Sequence, residues 1–307
     1  MIVIASTKPY AKKMLIDAFQ QYAAVGSYCL VGDEQAKDAT TAACWFPDFD
    51  KLNQLPHLKL IHSMGAGIEH LDLNKIQPSH QVCRIVDKDH KLGMFNYLKW
   101  GVLYYQRYFD QYLQQQRKCI WKQFPQLTES DIQIGVMGLG ELGAFVAEKL
   151  ANEGYQVSGW SRSKKILSEV QCFSGLDEFD SFLKQSQLLI NLLPLTKETF
   201  GILSKENFVK LPKGAVIINS GRGAHLHIQD LIDSIKSKHI RGAILDVFEH
   251  EPLDYASPLW KIPEIVITPH IASHAHLENV VKQIVENDQR IRQGLPLLNC
   301  VDIKRGY

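Results

Sequence analysis

A chain of 307 residues with 45% hydrophobic and 22% charged residues has the composition of a soluble globular protein of one large or two medium domains, which excludes a disordered, fibrous or disulfide-scaffold chain. Thirty-four Lys and Arg against thirty-three Asp and Glu leave a formal charge of +1, so no global field draws a nucleic-acid backbone and no such partner is expected. The six cysteines (Cys29, Cys44, Cys83, Cys119, Cys172 and Cys300) form no C-x-x-C pair, and no apolar run reaches membrane-spanning length; reduced thiols, a cytoplasmic location and no membrane contact are expected.

In chain order, apolar runs at 2–5, 41–46, 58–63 and 82–86 read as strands. The apolar and aromatic stretch 98–109 reads as one long helix that continues into the polar 111–118. Further strand-like runs follow at 132–137, 156–160, 188–193, 215–219, 243–247 and 265–268, most of them separated by helix-length segments. Strands alternating with helices imply a doubly wound parallel sheet covered on both faces. A last helical pattern at 277–293 can fold back onto the first third, which divides the chain into residues 1–97, completed by 278–307, and residues 98–277.

The strongest local signal is the G-x-G-x-x-G formed by Gly138, Gly140 and Gly143, directly after the strand at 132–137. The first glycine permits a tight turn, the second lets backbone approach a pyrophosphate, and the third allows close helix–strand contact. Amides at the helix start, from Glu141 and Leu142 onward, would hold the anion. Dinucleotide binding is therefore expected. An NAD site usually carries an acid at the end of the next strand, but here the sequence runs Ser161, Arg162, Ser163, Lys164, Lys165. A guanidinium flanked by hydroxyls and amines suits a ribose 2′-phosphate, so NADP(H) is preferred and NAD(H) remains open.

Three later strands end on chemically capable residues: Arg222 after 215–219, Asp246, Glu249 and Glu251 after 243–247, and His270 after 265–268. Singly they have plainer readings, as a surface arginine, solvated carboxylates and a capping histidine. In an open parallel sheet, however, strand carboxyl ends line the ligand site. Together they supply a fork for a carboxylate, a proton donor and an acid to tune that donor.

With these pieces in view, the chain resembles the NAD(P)-dependent D-isomer-specific 2-hydroxyacid dehydrogenases. The matching motifs are GLGELG at 138–143, NLLPLT at 191–196, INSGRG at 218–223, LDVFEHEP at 245–252 and TPHIA at 268–272. The branch of A-type glyoxylate/hydroxypyruvate reductases also shares SMGAG at 63–67, WSRS at 160–163, SPLW at 257–260 and VDIKRGY at 301–307. The resemblance implies two flavodoxin/Rossmann-like α/β domains with the active site in the cleft between them, 98–277 being the NAD(P)-binding one. It implies that Arg222 binds the substrate carboxylate and carbonyl, that His270 donates the proton and that Glu251 keeps it charged. Leu193, Pro194 and Asp246 would lie by the cofactor. Met64, Gly65, Ala66 and Gly67 would grip the substrate carboxylate, with Trp45 beside it, although a core tryptophan is an equally natural reading. The helical arm from Leu98 through Trp121 resembles a dimerisation arm, so a homodimer is expected.

The implied reaction is NADPH-dependent reduction of glyoxylate or hydroxypyruvate, with a bulkier 2-keto acid or a non-catalytic dinucleotide-sensing protein as alternatives. Two departures bear on this choice: Asn96 stands where relatives carry a glutamate, and Ser273, His274, Ala275 and His276 replace a stretch that usually holds Thr and Arg. No metal is expected, because no acidic or thiol ligand accompanies the three histidines.

Overall fold

The computed structural model describes residues 1–303; residues 304–307, the end of the VDIKRGY motif, lie outside the described residues. The chain forms two compact units, one of Met1–His90 with the segment from Ala275 onward, the other of Lys91–His274. These divisions lie a few residues ahead of those drawn from sequence. The first falls inside a continuous helix, where no change of pattern marks it.

The first unit carries a five-stranded parallel sheet of order β2-β1-β3-β4-β5, formed by Ile2–Ser6 (β1), Tyr28–Leu30 (β2), Thr41–Trp45 (β3), Leu60–Ser63 (β4) and Gln81–Cys83 (β5). Its helices are Pro9–Tyr22 (α1), the short Phe49–Leu52 (α2) and the returning C-terminal Leu277–Arg292 (α9). Val280, Val281 and Ile284 of α9 share a core with Ile2, Ile4, Leu15 and Phe19. Its polar face is fixed as well, Thr40 Oγ1 donating to Asp288 at 2.7 Å and Asn287 lying 3.1 Å from the buried His62.

The second unit begins within Lys88–Gln106 (α3) and continues with Phe109–Arg117 (α4). It then runs through Gln133–Met137 (β6), Glu141–Asn152 (α5), Gln156–Ser161 (β7), Val170–Ser174 (β8), Phe179–Gln185 (α6) and Leu188–Asn191 (β9). Lys205–Phe208 (α7), Ala215–Asn219 (β10), Ile228–Lys236 (α8), Ile240–Leu245 (β11) and Ile265–Ile267 (β12) complete it. The seven strands are all parallel, in the order β12-β11-β10-β9-β6-β7-β8. In β10, Val216 and Ile218 enter one apolar cluster while Ala215 and Ile217 enter the other. The strand therefore reads as an unbroken apolar run, because helices cover both faces. The expected doubly wound fold is present in both units.

Three expectations need correction. The strands β2 and β8 were not anticipated: β2 spans three residues, and β8 is an edge strand with only partly buried side chains. The helix expected from Leu98 begins at Lys88, because its buried stripe of Met94, Phe95, Leu98, Val102 and Tyr105 starts upstream. That helix also does not continue to 118 unbroken. Tyr108 adopts a left-handed conformation at φ 60° and separates α3 from α4, and its ring stacks on Phe124 at 4.9 Å.

Candidate active site

The sheet of the second unit reverses its winding direction between β9 and β6, and the glycine loop follows β6 at that switch point, where open α/β sheets bind ligands. Each of the three glycines meets a different requirement. Gly138 has φ +99°, and a Cβ there would lie 2.8 Å from the Leu192 carbonyl carbon. A Cβ on Gly143 would come within 1.8 Å of the Gly138 oxygen. Around Gly140, at the N-cap of α5, the space is open to 4 Å. Turn, close packing and an accessible backbone are what a pyrophosphate needs at a helix start, so these residues fit a bound dinucleotide. Glu141 pairs with Lys91 Nζ at 2.5 Å.

At the end of β7, Ser161 is buried and donates to the Ser163 carbonyl at 2.8 Å, folding the turn back on itself. Arg162, Ser163, Lys164 and Lys165 stand exposed on that turn.

The loops after β9 and β10 are tied together by a buried amide–imidazole network. Asn191 Nδ2 reaches Asn219 Oδ1 at 2.9 Å and His225 Nδ1 at 2.8 Å, and the Arg222 amide also approaches that Nδ1 at 3.2 Å. Two donors on Nδ1 make it an acceptor, so Nε2 carries the hydrogen and donates to the Pro194 carbonyl at 3.2 Å. The Leu193 amide donates to Asn191 Oδ1. One network thus fixes both the Leu193–Pro194 turn and the backbone of Arg222. Gly223, the next residue, sits so close to Phe248 that a Cβ would lie 1.9 Å from its carbonyl carbon, which brings the Arg222 loop against the segment that leads to Glu251.

Asp246 is buried at the end of β11. Its Oδ1 accepts from Thr268 Oγ1 at 2.6 Å and the Ile271 amide at 2.9 Å, its Oδ2 accepts from the Ala272 amide at 2.9 Å, and its backbone carbonyl accepts from the His270 amide at 2.9 Å. Because the Thr268 proton is spent on Asp246, Tyr97 must donate its hydroxyl proton to Thr268 Oγ1, 2.6 Å away. Burial pushes the Tyr97 phenol above its ordinary range, which keeps that proton in place. The turn so held carries His270 at φ +56°. His270 Nδ1 lies 2.8 Å from Glu251 Oε2, while Glu251 Oε1 accepts from the Phe248 amide at 2.9 Å.

The hydrogen bond to Glu251 raises the His270 pKa against the opposing effects of burial and of the Arg222 charge. Burial also works against a charged Glu251, but His270, the Phe248 amide and Arg222 together bring it below its ordinary value. When His270 is protonated its Nδ1 donates to Glu251, and Nε2 of the imidazolium is the second proton-bearing atom.

In the first unit, β4 ends at Ser63, whose Oγ lies 3.0 Å from the Gly65 carbonyl, 2.9 Å from the Gly67 carbonyl and 3.0 Å from the Gly65 amide. Arg84 Nη1 donates to the Ala66 carbonyl at 3.1 Å. Since C=O and N–H point oppositely across a trans peptide, holding the Gly65 and Ala66 carbonyls inward turns the Ala66 and Gly67 amides outward. Met64 is buried beneath this loop. The Trp45 ring lies against Gly65, where a Cβ would meet it at 3.1 Å, and packs on His70 with ring centroids 4.1 Å apart. Trp45 is partly exposed.

Comparison with known proteins agrees with this geometry. Residues 100–272, more than half of the chain, match the family model described as D-isomer specific 2-hydroxyacid dehydrogenase, NAD binding domain. The chain belongs to that family. The dehydrogenase is 36% identical over 284 residues to glyoxylate/hydroxypyruvate reductase A of Salmonella newport, covering 90% of each chain. It superposes with a TM-score of 0.91 on a D-isomer specific 2-hydroxyacid dehydrogenase family protein from Klebsiella pneumoniae 342, at 45% identity over 99% of this chain and 97% of that one. An NADPH-dependent glyoxylate/hydroxypyruvate reductase from Sinorhizobium meliloti, solved with NADP and sulfate, gives 0.89 at 30% identity over 100% and 99%.

Of the residues singled out from sequence, the dehydrogenase brings Arg222, Glu251, His270 and Asp246 together around the ends of β10, β11 and β12. The glycine loop and the Leu193–Pro194 turn flank the switch point, and Trp45, Met64, Gly65, Ala66 and Gly67 cluster in the other unit. Asn191, Asn219, His225, Tyr97, Thr268 and Arg84, which hold these groups in place, were not assigned a role from sequence. Asn191, Asn219 and Thr268 stood inside quoted motifs, and a polar residue in an otherwise apolar strand end is the signal that could have found them. For Tyr97 and Arg84 no local signal exists. Among the described residues, no helix is long and apolar enough to cross a membrane.

Proposed function

We propose that this dehydrogenase reduces glyoxylate and hydroxypyruvate to glycolate and D-glycerate with NADPH. The observation that carries the proposal is the His270–Glu251 hydrogen bond on a turn pinned by Asp246, beside the Arg222 loop. Arg222 binds the substrate carboxylate and polarises its carbonyl oxygen. His270 Nε2 donates the proton to that oxygen, and Glu251 on Nδ1 holds the ring in one orientation and stabilises its charge. Within the first unit, the outward amides of Ala66 and Gly67 are donors that suit a carboxylate; the Gly65 amide, already committed to Ser63, drops out of the expected grip. In the same unit the Trp45 ring lies against Gly65, which leaves room beside those amides for a small anionic group. When bound, NADPH would supply the hydride from nicotinamide C4, with the 138–143 loop holding its pyrophosphate and Arg162 and Ser163 its 2′-phosphate, the Ser161 hydroxyl being committed to the Ser163 carbonyl. Support for NADPH comes from the basic turn and from the NADP-bound relative.

The test is to follow NADPH absorbance with glyoxylate, hydroxypyruvate and phenylpyruvate, each also with NADH. Faster turnover of the short acids with NADPH is expected. A preference for phenylpyruvate would replace the substrate assignment, and loss with no keto acid tested would overturn the reductase reading. We further propose a cytoplasmic homodimer through the α3–α4 arm, on which Trp100, Phe109, Leu113, Ile120 and Trp121 are exposed; a monomer in light scattering would reject the dimer.

A further inference from the structure

The outer edge of β5, the last strand of the first unit's sheet, is covered by the C-terminal segment around Cys300, which pairs with it antiparallel. The Arg84 amide donates to the Asn299 carbonyl at 3.1 Å and the Val301 amide to the Val82 carbonyl at 2.8 Å. Hydrogen bonds on the flanking residues make Cys83 and Cys300 a non-hydrogen-bonded pair, the position at which side chains of facing strands lie closest and Cα atoms stand about 4.5 Å apart. The two sulfurs are 3.5 Å apart. A Cα separation of that size lies within the range a disulfide spans, so closing the gap to a bond of about 2.05 Å requires side-chain rotation and no movement of the strands.

The two thiols differ in their surroundings. Cys300 is exposed, whereas Cys83 is fully buried, and burial together with the neighbouring Cys300 raises its pKa. A small disulfide in solution therefore reaches Cys300 and not Cys83. The remaining cysteines have no sulfur neighbour among the described hydrogen bonds.

We propose that Cys83 and Cys300 are a thiol–disulfide exchange site that accepts a low-molecular-weight disulfide of the glutathione class and closes to a reversible cross-strand disulfide. The Cys300 thiolate attacks one sulfur of the small disulfide, forming a mixed disulfide and releasing one thiolate. The Cys83 sulfur, giving its proton to solvent, then attacks Cys300 Sγ and expels the second thiolate. Two protein thiols are oxidised by two electrons and the small disulfide is reduced to two thiols. Oxidation locks the C-terminal segment onto β5, one residue from Arg84, which holds the Ala66 carbonyl. The site is independent of the keto-acid assignment.

The experiment treats reduced full-length protein with oxidised glutathione, followed by thiol counting and non-reducing peptide mapping. The expected product has a linked peptide pair containing Cys83 and Cys300, any glutathione on the exposed Cys119 being counted separately by the mapping, and full reversal by dithiothreitol. Cys83→Ser is expected to stop at a glutathione adduct on Cys300, and Cys300→Ser to leave Cys83 unreacted. Wild-type protein that keeps the Cys83 thiol while Cys300 carries glutathione, or bridges two chains, would overturn the proposal, as would a Cys300→Ser variant whose Cys83 reacts directly.

Discussion

Two turns of the second unit, each at the carboxyl end of a strand, are built in opposite ways. The turn after β12, which carries His270, is tied through a buried carboxylate by two amides and a hydroxyl, with a partly buried phenol behind it. The turn after β7, which carries Arg162, is folded back by a hydrogen bond from Ser161 to the Ser163 carbonyl and presents four exposed residues. A proton donor must be held within a fraction of an ångström of its target and orientation. A phosphate-binding arginine can instead be recruited from solvent by a charged ligand, which supplies the fork's second partner itself. The difference teaches that a buried carboxylate fixes the turn after β12 from within the fold, while the turn after β7 keeps its basic side chains exposed to solvent.

The largest effect that would break this comparison lies at His270. Removing the imidazole with His270→Ala is expected to lower kcat by about 10²–10⁴-fold, with NADPH binding by fluorescence titration unchanged. Turnover within about threefold of wild type would remove the proton-donor role.

The next effect concerns the tie itself. Asp246→Ala leaves the Ile271 and Ala272 amides and Thr268 Oγ1 without their buried acceptor, at a cost of about 3 kcal/mol. A lower denaturation midpoint at unchanged m-value is expected, together with reduced kcat. If the midpoint did not move, the turn would owe its shape to something other than Asp246.

At the exposed turn the expected cost is smaller and selective. Arg162→Ala should raise KM for NADPH about tenfold, the equivalent of one charge-assisted contact, and leave KM for NADH nearly unchanged. Equal losses with both cofactors would show that the turn positions the dinucleotide instead of reading its 2′-phosphate.

The smallest effect sharpens the first. Glu251 raises the His270 pKa, so reduction, which needs imidazolium, stays fast until pH rises through that raised value. Glu251→Gln keeps the shape and removes the charge, so the alkaline limb of kcat/KM should move to lower pH. A histidine returned to its ordinary pKa of about 6.5 is roughly one-quarter protonated at pH 7, so the loss there is at most about fourfold from protonation alone. An unmoved alkaline limb would separate Glu251 from the proton donor's charge.

Sequence alone determined the doubly wound class, the glycine loop and the three strand ends that carry Arg222, Glu251 and His270. These are local: an apolar run buried on both faces, a glycine required by its own φ or by a neighbour at contact distance, and a polar residue just past a strand. The tertiary structure decided the groups that hold them. Tyr97 and Thr268 are 171 residues apart and Asp246 and Ala272 are 26 apart, so no spacing rule connects them until helix and strand are packed. It also decided where the long helix breaks, at a left-handed Tyr108 whose ring stacks on Phe124. A side chain's partner is set by burial and by which strands are neighbours, and strand order is a property of the folded sheet that a linear pattern of apolar residues does not carry.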